Sequence, residues 1–503
     1  MRVNTKYFLL LCVLSMGTIY SPASNAAEIH ALSCSGKDIQ AAIDRSSSGD
    51  TILVPAGSCS WTADLYVPNS KKLTLRGAGI DKTIVTNPLS TGVTLNLGDS
   101  GSRLTGFTFN EIHLKLFMGN SRIDHNKFYT ATTSPGSGVL FTSSKTTPYR
   151  SPEALVDHNV FYNCRVVVYG GVVLAHTQWT IPHELGTGDN TVYIEDNEFF
   201  RTYNKQANVV DGSYGGSYVF RYNILHGINA GINVMAHSIQ STYNRALKKW
   251  EFYGNVIHTD TLANVPFFLR GGTGVVFFNS VTGRWGKKKI GVDNVRSSLD
   301  IGGNAGMCDG TSVWDGNEDA TGYPCRDQIG MGHDATLWSD NPAGPYRQVH
   351  APAYGWLNRT EANAEVPFYV LNVNSAQHIR QNRDFYDYSA SFDGTSGVGA
   401  GTLSERPKNC TPGVAYWATN QNTETVSGMV GPDPSQPIDG ILYKCTAPNT
   451  WTEYFKPYPY PHPLSMPDSM SMPDSMSMSD SQSMPDSQFI AEEPTPPQNL
   501  MIH

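Results

Sequence analysis

Over most of the chain, apolar and polar positions alternate in short runs, and six of these runs share one phrase. It reads apolar-x-x-Asn-x-apolar in RIDHNKF (122–128), LVDHNVF (155–161), YIEDNEF (193–199), VFRYNIL (219–225), EFYGNVI (251–257) and VVFFNSV (275–281). The asparagines are Asn126, Asn159, Asn197, Asn223, Asn255 and Asn279, at intervals of 33, 38, 26, 32 and 24 residues. The residue three before each Asn and the residue two after it are apolar in every copy, for example Ile123 and Phe128, or Val276 and Val281. Alternation with period two turns both of those inward and the residue two before the Asn outward. Each phrase therefore predicts a strand, a corner at the Asn and a second strand. Units this short cannot bury their own apolar faces, so copies must stack. The stacked corner amides then form an internal hydrogen-bonded ladder. His125 and His158, each just before an Asn, fall at corners and read as packing residues.

The flanks fit this scheme. Residues 34–59 (DIQAAID followed by a Ser/Gly turn and TILVP) predict a short amphipathic helix and a strand that cap the open end of the stack and cover its unpaired edge. KLTLRGAG (72–79) and RLTGFTF (103–109) read as early coils. From 285 to 365 the phrase lapses into a Gly/Asp/Trp-rich stretch that reads as a long loop insertion, and FYVLNVN (368–374) is one more coil. The region 389–464 ends in Pro-rich FKPYPYPHPL, where regular pairing stops. The expected fold class is all-β: a right-handed parallel β-helix over 28–464 with an N-terminal helical cap.

Residues 1–27 read as a leader, with Lys6 in a positive segment, an apolar run from Tyr7 to Ile19 and a small-residue cleavage site at 24–27. That run is too short for a permanent span, and no later run is long enough. The mature chain is thus expected to be exported, without a membrane span. Seven cysteines follow the leader. Sequence-local pairing joins Cys34–Cys59, Cys308–Cys325 and Cys410–Cys445 and leaves Cys164 free and buried in a strand, though six cysteines alone allow 15 arrangements. Residues 465–503 repeat Ser-Met-Pro-Asp-Ser and carry six acids and no Lys or Arg, a composition expected to be disordered. They account for most of the net charge of −8, so the remainder is close to neutral, which argues against nucleic acid as a partner. A monomer is expected.

The cap wording (DIQAAID…GDTILVPAGSCSWT…LTLRGAG), the Asn phrases and FKPYPYPHPL together resemble exported bacterial right-handed parallel β-helix proteins of the pectate-lyase-like superfamily. The resemblance covers roughly residues 30–464. It implies the fold, and it implies a polysaccharide partner, because members are mostly polysaccharide lyases, glycoside hydrolases, epimerases and adhesins. The Asp-Asp, Gly-His-Gly and Arg-Ile-Lys motifs of polygalacturonase-type hydrolases are missing, as is the Arg-x-Pro-x-x-Arg of pectate lyases. FLRGGTGVVFFN (268–279) is loosely similar to the Arg-Gly coil segments of chondroitinase- and alginate-type lyases.

Two groups of residues could carry chemistry. The outward position two before each Asn reads Asp124, Asp157, Glu195, Arg221, Tyr253, Phe277, with Arg122, Tyr193 and Glu251 beside it. Carboxylates one strand spacing apart repel and call for a counter-charge, either Arg221 or a hard cation such as Ca2+ held by Asp157, Glu195 and Glu251. The other group lies in 211–251 and at Arg270. Uronate lyases remove a proton next to a carboxylate, which requires a positive group to hold that carboxylate and a base within reach of the proton. Arg270 and Arg245 fit the first task, and His237 with Tyr214 the second. Arg221, Lys249, Trp179 and Asp211 complete the expected substrate contacts. The expected activity is β-elimination on an acidic glycan. The alternatives are a glycoside hydrolase using the Asp124, Asp157 and Glu195 column, and a non-catalytic glycan-binding module.

Overall fold

The computed structural model describes residues 26–465 apart from loops, the longest being 143–151, 171–178, 239–244, 295–324, 334–347 and 422–430, with several shorter ones. The leader up to residue 25, the tail from 466 and Cys308 lie outside the described residues. Among the described residues, ten coils each contribute one strand to each of three sheets, and the first sheet gains one further strand at each end. These sheets hold twelve, ten and ten strands, and every neighbouring pair within them is parallel. The first sheet contains the strands that lead into the Asn corner, such as Ser121–Asp124, Ala154–Asp157, Val192–Glu195, Ser217–Arg221, Lys249–Tyr253 and Thr273–Phe277. The second contains those that leave the corner, such as Lys127–Tyr129 and Val160–Tyr162. The third contains the return strands, among them Cys164–Tyr169, Ala207–Ser213, Ile232–Ala236, Phe267–Leu269 and Ile290–Val292. This is the right-handed parallel β-helix expected from the repeat.

Register is set at the corner. The residue before each Asn adopts left-handed backbone, with φ of 53° at His125, 54° at His158, 55° at Asp196, 56° at Tyr222 and 67° at Gly254. That conformation reverses the chain within one residue and turns the Asn side chain inward. Each Asn Nδ2 then donates to the Oδ1 of the next Asn, over 3.1 Å from Asn126 to Asn159 and 2.9 Å from Asn255 to Asn279. The backbone amide of each Asn donates to the same oxygen. All these groups are buried, so each rung satisfies polar atoms that would otherwise be costly. Asn223→Ala removes the acceptor of both Asn197 donors and should lower stability by about 3 kcal/mol in denaturant titration. A loss below 1 kcal/mol would show the ladder to be ornamental.

The ladder has a seventh rung that the repeat did not reveal. Asn279 donates to Asn358 Oδ1 over 2.8 Å, and Ala353–Trp356 pairs with Thr273–Phe277. Residues 353–360 are thus a coil of the helix rather than part of an insertion. The phrase is disguised there because Gly355 holds the inward aliphatic position and Thr360 the second apolar one. The space above Gly355 is filled by the Phe368 ring, which a Cβ would approach to 2.8 Å.

The cap is as expected. Helix Gly36–Arg45 starts at Ser35, whose hydroxyl accepts from the Asp38 amide, and it buries Ile39, Ala42 and Ile43. Cys34–Cys59 and Cys410–Cys445 are disulfides, and Cys164 is free and buried, its thiol pushed up to about 12 by burial. The C-terminal region forms a fourth, mixed sheet of Val398–Gly401, Ala415–Ala418, Ile441–Ala447 and Thr450–Phe455. It packs on the outward face of the first sheet. Tyr253, Phe277, Tyr354 and Trp356 from the helix join Val414, Trp417, Leu442 and Phe455 in a second apolar core.

Candidate functional site

The C-terminal cover decides the fate of the outward charge column. Asp124, Asp157, Glu195, Arg221, Tyr253 and Phe277 do lie in register, but every one of them is buried. Each acid has its own guanidinium: Arg103 on Asp124, Arg122 on Asp157 and Arg221 on Glu195, each with contacts of 2.6 Å. Arg221 is fully buried and spends its other donors on the Tyr253 hydroxyl and on the carbonyl oxygens of Tyr458 and Pro459. It therefore anchors the C-terminal strap, which corrects its expected role in substrate binding. Glu195 also accepts from the His462 amide.

Three further expectations fail for the same reason. Lys249 is buried, donates to the Glu184 carbonyl at 3.1 Å and pairs with Glu251 at 3.6 Å, so it does not face a substrate. Asp157, Glu195 and Glu251 do not converge on one point. Glu251 stands in register with Val219 and Tyr193, on the neighbouring column, and accepts from the Gly186 amide. With its carboxylates committed to Arg122, Arg221 and Lys249, this set does not fit Ca2+, which needs six to eight oxygen ligands. A hydrolase built on the Asp124, Asp157 and Glu195 column would have no access to its substrate.

Among the described residues, His158, Asp196 and Asp433 are a group whose ligand atoms all lie within 4.8 Å and can hold a metal ion. Their present bonding is a latch. His158 Nδ1 contacts Asp157 at 2.9 Å and Nε2 contacts Asp433 at 2.7 Å. Asp196 accepts from the Asp433 amide and from the Tyr460 hydroxyl. The bond to Asp157 raises His158 to about 9, so at neutral pH the imidazolium already supplies the positive charge a metal would bring.

The cover has a pH signature of its own. Burial first, and then the cations Arg221 and Arg122, push His462 down to about 3. The unfolded chain binds that proton near pH 6.5 and the folded chain only near pH 3. The stability this group contributes is therefore present above pH 6.5 and is lost as pH falls, at roughly 1.4 kcal/mol per unit below about pH 6. His462→Asn should flatten the fall in urea midpoint between pH 7 and pH 4.5. Parallel curves for the two proteins would sink this assignment.

The second group of candidates lies on the third sheet. Val210, Val234, Phe267 and Ile290 point into the core, so Asp211, Met235 and Phe268 on the alternate positions point outward. The ladder runs on past the strand ends. The His237 amide donates to the Gly212 carbonyl, Arg270 to Ala236 and Asp293 to Leu269, at 2.8–3.1 Å. His237, Arg270 and Asp293 thus stand on successive rungs, about 4.8 Å apart. The Arg270 guanidinium lies over the Phe268 ring at 4.8 Å and donates to Met235 Sδ at 2.8 Å. His237 Nδ1 donates to the Ser238 carbonyl at 2.9 Å, which leaves the lone pair of the neutral ring on Nε2. Tyr214, left-handed at φ 53°, sets its ring edge-on to Tyr169 at 4.9 Å. Asp211 lies 3.9 Å from Arg165, and nothing in the sequence pattern singles out Arg165 or Asp293.

Arg245 and Trp179 come to this corner in supporting roles. Arg245 is fully buried, makes two 2.7 Å bonds to Asp327, and stacks on Trp179 at 4.7 Å. Trp179 is also fully buried and donates to the Ala246 carbonyl, so it offers no face to a sugar. The locked segment positions its neighbours: the Tyr214 amide donates to the Arg245 carbonyl and the Leu247 amide to the His237 carbonyl. Asp327 belongs to the stretch that lacked the Asn phrase. Its carbonyl accepts from the Gly272 amide, and Gly330 donates back to Gly272, so this stretch is fastened beside the coil that carries Arg270.

No family model and no curated protein matches the chain. Among solved structures it is similar to an alginate lyase from Paenibacillus sp. str. FPU-7, with 14% identity and a TM-score of 0.31 over 52% of this chain and 97% of that one. It is also similar to a mutant of the PL6 family alginate lyase AlyGC, with 11% identity and a TM-score of 0.37 over 82% of this chain and 57% of that one. The chain therefore spans a little over half the length of the second. With three stacked parallel sheets and a continuous internal asparagine ladder, the chain has a right-handed parallel β-helix fold.

Proposed function

We propose that the chain is an exported polysaccharide lyase that cleaves an acidic, uronate-containing glycan by β-elimination at the third-sheet corner. The observation that carries this reading is the placement of His237 and Arg270 on adjacent rungs, with His237 Nδ1 donating to the Ser238 carbonyl. In this scheme Arg270 pairs with the uronate carboxylate and offsets the negative charge that builds up when the neighbouring proton leaves. His237 Nε2 takes the C5 proton. The electron pair of the C5–H bond becomes the C4–C5 double bond, the C4–O bond breaks, and the departing oxygen takes a proton, for which the Tyr214 hydroxyl is the donor. In the same scheme Asp211 and Arg165, 3.9 Å apart, contact the incoming glycan. Two disulfides suit an oxidising compartment, and among the described residues no helix is long and apolar enough to cross a membrane.

The test is absorbance at the unsaturated-uronate band on a panel of uronate polymers. A rise with at least one polymer is expected. Release of reducing ends without that rise, or tight retention of polymer without turnover, would remove the lyase reading.

A further inference from the structure

A cavity of about 660 Å3 lies between the start of first-sheet strands and the C-terminal sheet, a volume within the usual range for small-ligand sites. Lys248 and Thr273 line it from the helix, and Lys444 and Lys456 from the cover. His333 and His350 line it as well. The acids in its wall, Glu184 and Glu453, are both exposed. Lys248, in contrast, is 1% exposed. Lys444 lies over the Tyr454 ring at 4.9 Å, and among the described residues no carboxylate comes within ion-pair distance of it. Burial pushes its ammonium group down, the behaviour of a cation that lacks an anion. Withdrawing an ammonium group from water without a counter-charge is costly, and a bound anion would relieve that cost.

We propose that this cavity is a second carbohydrate site, which binds the carboxylates of an acidic oligosaccharide through Lys444, Lys248 and Lys456. The choice of a uronate as ligand rests on the lyase reading above; the preference for an anion rests on the cavity alone. The location favours the same glycan at both places. Segments 245–248 and 270–273 reach both places: Lys248 and Thr273 line the cavity, the Arg245 carbonyl accepts from the Tyr214 amide and the Leu247 amide donates to the His237 carbonyl. A glycan held here would keep its polymer beside the corner between successive cuts.

Calorimetric titration in the Arg270→Ala background, or in His237→Ala if the first does not fold, tests the site without turnover. The probes are tetrasaccharides of galacturonate, mannuronate and guluronate, with a neutral glucose tetrasaccharide and inorganic phosphate as controls. Lys444→Met should weaken binding of at least one uronate tetrasaccharide tenfold or more, and Lys456→Ser severalfold. Equal affinity in both lysine variants, or no binding of any uronate probe, would overturn the proposal. Equal, lysine-dependent binding of the neutral sugar would overturn its charge argument, and displacement by equimolar phosphate would overturn its claim to a sugar. Lysine-dependent binding in a protein whose native form never produces the unsaturated band would sink the lyase reading and keep this site. Turnover with lysine-independent binding would do the reverse.

Discussion

His237→Ala and Arg270→Ala are each expected to reduce turnover on the responsive uronate polymer by at least a hundredfold. A positioned base contributes on the order of 10²–10⁴ in rate, and a group that stabilises developing charge contributes about 10²–10³. The two side chains are 7% and 5% exposed and neither belongs to the apolar core, so the helix should keep its circular dichroism and cooperative unfolding. Arg270→Lys is the discriminating variant. It keeps the charge but loses the planar fork that lies over Phe268, so partial activity is expected from it and none from Arg270→Ala. Near-native rates in both alanine variants would show that the proton is removed elsewhere on the molecule. Asp327→Asn should act indirectly, by loosening Arg245 and through it the bonds that hold Tyr214 and His237. Its loss of rate should accompany a rise in KM, which distinguishes positioning from chemistry.

Arg221→Met is expected to be the most destabilising single change in the helix, at about 3–5 kcal/mol. It would leave Glu195 buried beneath Tyr460 and His462 without its cation and would free the carbonyl oxygens of Tyr458 and Pro459. Burial already pushes the Glu195 carboxyl upward against the pull of Arg221, so the variant should take up a proton there. The double variant Glu195→Gln, Arg221→Met removes both charges and should recover most of the loss. A double-mutant cycle from denaturant midpoints measures the coupling. A single-variant loss under 1 kcal/mol would mean that the C-terminal cover is held by its apolar contacts with Tyr253, Phe277 and Trp356 alone.

Where the sequence succeeded, the information was local. The six Asn phrases set strand, corner and strand within seven residues. The inward pairs such as Ile123 with Phe128 and Val276 with Val281 are core residues, as alternation requires. The ladder itself was legible because an Asn at an inward corner has few partners other than its copy on the next rung. The coil at 353–360 was missed because Gly355 relies on Phe368, thirteen positions further on, to fill its place. The candidate site was only partly legible. His237 and Arg270 stand on adjacent rungs, but Arg245 and Trp179 are buried, with their polar groups taken up by Asp327 and Ala246.

The sequence by itself determined the repeat, its register, the inward and outward sets and the cap. All of these follow from short-range periodicity and spacing. It also placed three acids and an arginine in one outward column. Only the tertiary structure decided what that column meets. Outward from a single coil is not the same as exposed, because the partners that cover Arg221 lie 237 and 238 residues further along the chain. Alternation fixes which way a side chain points from its own strand. It carries no information about a distant segment that folds back over the sheet, and that segment turned the outward face of the first sheet into an interior.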